Sequence, residues 1–105
     1  MHIQIVNFEL NGITEEQYRK LCDEVAPAFA GVPGLIAKIF LARSETNTYG
    51  GVYLWTDREA MAAFARSELF AAVVNHPNLT DVRATDYDVL DAPTQVTRGL
   101  AAIAA

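Results

Sequence analysis

The stretch from Pro33 to Trp55 constrains the fold more than any other part of the chain. It reads as a turn at Val32-Pro33-Gly34, a strand Leu35-Ile36-Ala37-Lys38-Ile39-Phe40-Leu41-Ala42, a polar turn Ser44-Glu45-Thr46-Asn47-Thr48, and a second strand Tyr49-Gly50-Gly51-Val52-Tyr53-Leu54-Trp55. Side chains alternate across a strand with period two. One face of this hairpin therefore carries Ala37, Ile39, Leu41, Val52 and Leu54, all apolar and modest in size. The other carries Ile36, Lys38, Phe40, Tyr53 and Trp55, with a gap at Gly51. A solvent-facing side would be mostly polar, so both faces are expected to be covered. The covering over the second must tolerate an ammonium group, two rings with polar tips and a missing side chain. That is the composition of a cavity wall.

Around this hairpin the chain alternates strands and helices. His2 to Leu10 is a strand with Ile3 and Ile5 on one face and Gln4, Val6 and Phe8 on the other, closed by an Asn11-Gly12 turn. Thr14 with Gln17 makes a capping box, and Glu15 and Glu16 suit the positive end of the following helix. Tyr18, Leu21, Cys22, Val25 and Phe29 recur at helical spacing, so this stripe packs on the sheet. Pro27 inside the stripe predicts a kink, or a second short turn running on to Gly31. A second capping box is read at Thr56-Asp57-Arg58-Glu59, followed by a helix burying Ala60, Met61, Phe64 and Ala65. Ser67 to Val74 reads as a further short helix, broken at Asn75-His76-Pro77-Asn78. Leu79 to Leu90 is the fourth strand, with Val82 and Ala84 on one side and Arg83, Thr85, Tyr87 and Val89 on the other. Beyond it Ala92-Pro93-Thr94 reads as extended, and Leu100 to Ala105 as an Ala-rich tail.

The order βαββαβ predicts a ferredoxin-like α+β fold with a four-stranded antiparallel sheet, one domain spanning residues 1–105, with about 91–105 as a C-terminal extension. Both helices on one side leave the other side of the sheet bare. The residues expected there are Val6, Phe8, Ile36, Phe40, Tyr53, Trp55 and Tyr87, an apolar surface unstable in water on a monomer. A second copy packed sheet against sheet would enclose it, so a homodimer burying ~1,500 Å² or more is expected.

Charge and composition narrow the partners. A net charge of −5 with no basic cluster argues against binding nucleic acid or anionic lipid. One cysteine, Cys22, excludes an internal disulfide and suits a reducing cytoplasm. The first residues enter a strand at once, without the charged and apolar regions of a secretory signal, and no apolar run approaches the ~20 residues needed to span a bilayer. A soluble cytoplasmic protein is expected, with no membrane partner.

The Pro33-Gly34-Leu35 segment leading to Lys38, and the segment Tyr49-Gly50-Gly51-Val52-Tyr53-Leu54-Trp55-Thr56-Asp57, resemble the YdhR-like mono-oxygenase family of the dimeric α+β barrel superfamily. The likeness runs from Ile3 to about Thr97 in element order and length. It implies a cofactor-independent monooxygenase that oxidises an aromatic or polycyclic phenolic small molecule in a barrel cavity. Other superfamily members isomerise, degrade haem or serve in stress responses. A non-catalytic barrel holding a small hydrophobic ligand, or an isomerase in the same cavity, is therefore the alternative. The family commonly has Trp two residues after the Lys, where this chain has Phe40; a ring N–H is lost there, and Trp55 offers one from the next strand.

The candidate catalytic residues are Lys38 and Tyr53. A Lys among rings has its charge disfavoured, and can steady a phenolate, enolate or superoxide, or act as a base when neutral; the plainer reading is a packed stem with its head paired at a rim. Phe8, Phe40, Gly51, Trp55, Tyr87 and Gln4 are the candidate substrate-binding residues. The rings would sandwich a flat molecule while the polar tips donate hydrogen bonds; the alternative is dimer core. His76, beside Asn75, invites comparison with the haem-binding His of haem-degrading relatives, but a loop position before proline suits capping or solvent contact as well. No His, Cys or carboxylate cluster has metal-ligand spacing, so no metal and no cofactor are expected. Cys22 reads as packing. Gly50-Gly51 lies within a strand, so it reads as a bulge or a place where a ligand approaches the backbone.

Overall fold

The computed structural model describes residues 1–99; the tail read at Leu100 to Ala105 lies outside them. Strands β1 (His2–Leu10), β2 (Leu35–Arg43), β3 (Thr48–Trp55) and β4 (Leu79–Asp88) form one antiparallel sheet in the order β2-β3-β1-β4. Helices α1 (Glu15–Ala30), α2 (Arg58–Ala65) and α3 (Glu68–Val74) follow β1 and β3, and α4 (Asp91–Val96) follows β4. This is the ferredoxin-like α+β arrangement expected from the sequence.

Local chemistry sets the boundaries. The Thr14 hydroxyl accepts from the Gln17 N–H at 3.1 Å and the Gln17 side chain accepts from the Thr14 N–H at 2.9 Å, so the first capping box is complete. The second cap differs from expectation by one residue. Asp57, not Thr56, accepts from the Ala60 N–H at 2.8 Å, because the Thr56 N–H is used by the Gly34 carbonyl at 2.9 Å. Ser67 caps α3 through the Phe70 N–H. Pro27 does not divide α1, which runs on to Ala30. The extended reading of Ala92-Pro93-Thr94 is also overturned, for these residues lie in α4. Pro93 is the third residue of that helix, where its missing N–H has no intrahelical carbonyl to lose.

The covering of the sheet reverses the sequence expectation. The face holding Val6, Phe8, Tyr53 and Trp55 lies beneath the chain's own helices, in a core shared with Tyr18, Phe29 and Phe64. It is not the bare face. The uncovered side carries Ile3, Ile5, Ile39, Leu41, Val52 and Tyr87 instead, with Ile39 49% and Tyr87 57% exposed. The physical reason is the apolar area that rings bury. Burying a large ring contributes about 2–3 kcal/mol, more than a short branched side chain does, and the helices present Tyr18, Phe29 and Phe64 to meet the rings of this face. Ile36 also leaves the predicted face: the β2–β3 pairing shifts between Leu35 and Ala37, so Leu35 stands opposite Trp55 and Ile36 is exposed.

Candidate functional site

Lys38, Tyr53 and Gln4 form one row across the sheet, because Lys38 pairs with Tyr53 and Tyr53 with Gln4 on β2, β3 and β1. The next row is Phe40, Gly51 and Val6. Gly51 has a steric task here. A Cβ at that position would stand 2.8 Å from Cε of Lys38, so the missing side chain is the space in which the lysine stem lies.

Above these rows α1 and α3 close a cavity of about 100 Å³. Its wall includes Phe8, Lys38, Phe40, Gly50 and Tyr53 from the sheet, together with Tyr18, Cys22 and Phe29 from α1. The Lys38 Nζ lies 3.3 Å from the centroid of Phe29, 4.0 Å from Phe40 and 4.8 Å from Tyr53. Among the described residues no carboxylate pairs with it. Burial lowers its pKa to about 7, opposed by the neighbouring Cys22. The ring faces favour the ammonium form by cation–π attraction, which weakens but does not replace the lost hydration.

Burial favours the neutral forms of the two tyrosines and the cysteine of the cavity wall. The Tyr53 hydroxyl is pushed well above its ordinary value by burial and then by Cys22. Tyr18 is raised for the same first reason, with the Cys22 thiol beside it. Cys22 is itself raised, chiefly by burial, so it is a thiol and a packing group, as expected.

Of the eight candidate residues, Lys38, Tyr53, Phe8 and Phe40 line the cavity, and Gly51 shapes it. Three do not join them. Trp55 is fully buried and its Nε1–H donates to Gln4 Oε1 at 3.2 Å, so each satisfies the other inside the core. The ring N–H expected to replace the family's Trp is therefore not free for a ligand. Tyr87 stands on the opposite side of the sheet, paired with Ile3, because β4 turns it outward while Asp86 faces inward.

His76 lines the cavity just past the end of α3, and its Nδ1 accepts from the Asn78 N–H at 3.1 Å, which holds the turn into β4. Sequence reading left Phe29 as mere packing, although it is the ring nearest the amine. The signal for it was the stripe Tyr18, Cys22, Val25 and Phe29, which has to face the same side of the sheet as Lys38. His2 was also missed. Buried at 3% exposure, it is held between Asp86 at 2.6 Å and Asp88 at 3.0 Å, away from the cavity. The Gly50-Gly51 pair makes no bulge, and the pairing runs through it unshifted on both sides. Among the described residues no group of acidic, His and Cys side chains has the geometry of a metal site.

Fold and cavity together define a ferredoxin-like α+β domain of the kind seen in antibiotic biosynthesis monooxygenases. The chain matches the family described as "Putative mono-oxygenase ydhR" over residues 3–100, and it belongs to that family. No curated protein matches it. Three solved structures are similar in fold. A "putative antibiotic biosynthesis monooxygenase" from Deinococcus radiodurans has a TM-score of 0.68 at 18% identity, covering 88% of this chain and 95% of its own. SnoaB, a cofactor-independent oxygenase from Streptomyces nogalater, has 0.65 at 19%, covering 84% and 92%. The haem degrader MhuD from Mycobacterium tuberculosis, with two haems in its active site, has 0.69 at 22%, covering 86% and 96%. No helix among the described residues is long and apolar enough to cross a membrane.

Proposed function

We propose that the protein is a cofactor-independent monooxygenase that oxidises a phenolic ring in the cavity between the sheet and α1. The observation that carries this reading is a single half-buried amine set against aromatic faces, with no counter-ion among the described residues. Such a group has one natural complement, an anion attached to a flat apolar body. Lys38 in its ammonium form pairs with the phenolate and so favours the electron-rich state of the substrate. The phenolate passes one electron to O₂, and the substrate radical and superoxide combine into a hydroperoxide. Loss of water then leaves the quinone. One O₂ is consumed per phenol, one of its oxygen atoms enters the product and the other leaves as water. The substrate supplies all the electrons, so no cofactor is required. Phe8, Phe40 and Phe29 hold the ring, and the Tyr53 hydroxyl donates to its oxygen.

The cavity, about 100 Å³, is smaller than the ~150 Å³ that holds one benzene ring in an engineered protein, so a single ring fits once the part-exposed Phe40 ring shifts. A protoporphyrin does not. Phe40 also forms part of two open grooves between α1 and β2. Rotation of that half-exposed ring would join them to the cavity and admit a polycyclic substrate.

The protein acts as a homodimer in this reading, joined through the aliphatic face of the sheet rather than the aromatic one, and a reducing cytoplasm suits its single thiol. Oxygen uptake with a panel of mono- and polycyclic phenols and quinols tests the reaction. Turnover is expected from the wild type and not from Lys38→Met, which keeps the stem and removes the charge. Product formation without oxygen consumption would mark an isomerase instead, and tight binding with no conversion would mark a carrier.

A further inference from the structure

Lys38 has a second chemistry that the oxygenation reading leaves unused. An amine enclosed by rings, without a carboxylate to hold its proton, is also a nucleophile aimed into a ring-sized chamber. We propose that Lys38 is a covalent capture site for small aromatic aldehydes, condensing with them to an imine inside the cavity.

Three observations place the reaction here. The half-buried Nζ lies against the rings of Phe29, Phe40 and Tyr53 and meets no acidic side chain among the described residues. The small apolar cavity, about 100 Å³, favours an uncharged single-ring aldehyde over a larger or ionised carbonyl compound. The wall also supplies a proton donor, for the Tyr53 hydroxyl stays protonated under burial. The step balances. The nitrogen lone pair attacks the carbonyl carbon, a proton passes from nitrogen to the new alkoxide, and the carbinolamine loses water, assisted by Tyr53, to leave the C=N bond. One aldehyde and one amine give one imine and one water, with no change in oxidation state.

The two chemistries of Lys38 need opposite protonation states. Anion pairing uses the ammonium form and imine formation the free amine, so their pH dependences cross near pH 7, around which Lys38 titrates. The inference shares the ligand-chamber reading with the proposed function but does not rest on oxygen chemistry.

The test treats the intact protein with benzaldehyde and sodium cyanoborohydride, which reduces imines, and maps benzyl groups by peptide mass spectrometry. Lys20, exposed on α1, is the control within the same molecule. At neutral pH, Lys38 is expected to gain its benzyl group at least about tenfold faster than Lys20, as a free lone pair held beside its reactant implies. That preference is expected to vanish in guanidinium chloride. Equal rates at the two lysines, an unlabelled Lys38, or a preference that persists in the unfolded chain would each overturn the proposal. Labelling of Lys38 in a protein that consumes no oxygen with any phenol would leave this inference standing and remove the monooxygenase reading. Oxygen uptake with Lys38 unlabelled would do the reverse.

Discussion

The two faces of the sheet differ less in hydrophobicity than in what their side chains do once buried. The outer face is built mainly of Ile3, Ile5, Ile39, Leu41 and Val52, short aliphatic side chains, with Thr85 and Tyr87 of β4 at one edge. The inner face mixes Trp55 and Phe8 with His2, Gln4 and Lys38. It is the one the chain covers for itself. Most of the polar groups on that side have partners, Gln4 with Trp55, His2 with two aspartates, and Tyr49 with Glu15 at 2.8 Å. Lys38 has none among the described residues. A Met or Leu there would avoid the cost of burying an ammonium, and that cost is what makes Lys38 the candidate reactive group of the proposed function.

The two faces share one seam, and the largest effect is expected there. Gly50 on β3 lies opposite Asn7 of β1 with φ +147, a backbone conformation that side chains rarely adopt. A Cβ on it would collide with the Val6 carbonyl, which is backbone and cannot turn away. Gly50→Ala is expected to cost about 4 kcal/mol or more and to disorder both faces together. Urea unfolding measures it, and a loss below about 1 kcal/mol would show that the strands separate more easily than this packing implies.

The inner face is sharpened by Lys38→Met. The lysine's pKa falls from 10.5 to about 7 on folding, so the unfolded chain binds the extra proton between those values and stability rises with pH across that window. The penalty is fully present below pH 7 and relieved as pH approaches 10.5. Removing the charge is expected to stabilise the protein by about 2–4 kcal/mol at neutral pH, after allowance for the lost cation–π contacts. The difference should shrink in alkaline solution. A variant that is less stable than wild type at neutral pH would mean that the ammonium is well solvated and the cavity open.

The outer face is tested by Ile39→Asp. Ile39 is half exposed, so the monomer loses little. A two-fold interface would bury the new charge twice and is expected to weaken by about 3 kcal/mol, roughly a hundredfold in dissociation constant. Sedimentation across a dilution series reads this directly. A wild-type monomer at micromolar concentration would remove the dimer.

How far the chain could be read before folding follows from the same contrast. Element order, the β1 boundaries and the grouping of Lys38, Phe40 and Tyr53 on one face came from local rules, namely period-two alternation, capping and turn chemistry. These act within a few residues, so the sequence displays them. Which face the helices choose is a long-range decision between two apolar surfaces, and alternation is silent about it. The misplacement of Ile36 and Tyr87 has a related cause. A bulge between Leu35 and Ala37 moves one, and the parity of β4 against β1, fixed only by pairing, moves the other. Trp55 and Gln4 were grouped with the cavity correctly by face, yet they spend their polar atoms on each other. No sequence pattern shows whether a buried donor is free.

The smallest expected effect separates a working hydroxyl from a structural one. Tyr49 and Tyr53 lie four positions apart on the same face of β3, both nearly fully buried. The Tyr49 hydroxyl is held by Glu15, a bond that also lowers the Glu15 pKa, and its removal can only loosen the junction of α1 with the sheet. The Tyr53 hydroxyl meets no hydrogen-bonding partner among the described residues, so Tyr53→Phe is expected to leave stability within about 0.5 kcal/mol of wild type. If the hydroxyl donates to the phenolic oxygen as the reaction proceeds, its loss is expected to lower kcat/KM about five- to tenfold, the worth of one hydrogen bond. Tyr49→Phe should show the opposite pattern, a lower melting temperature with kcat/KM unchanged. Equal effects of the two substitutions on turnover would mean that Tyr53 contributes only its ring to the cavity wall.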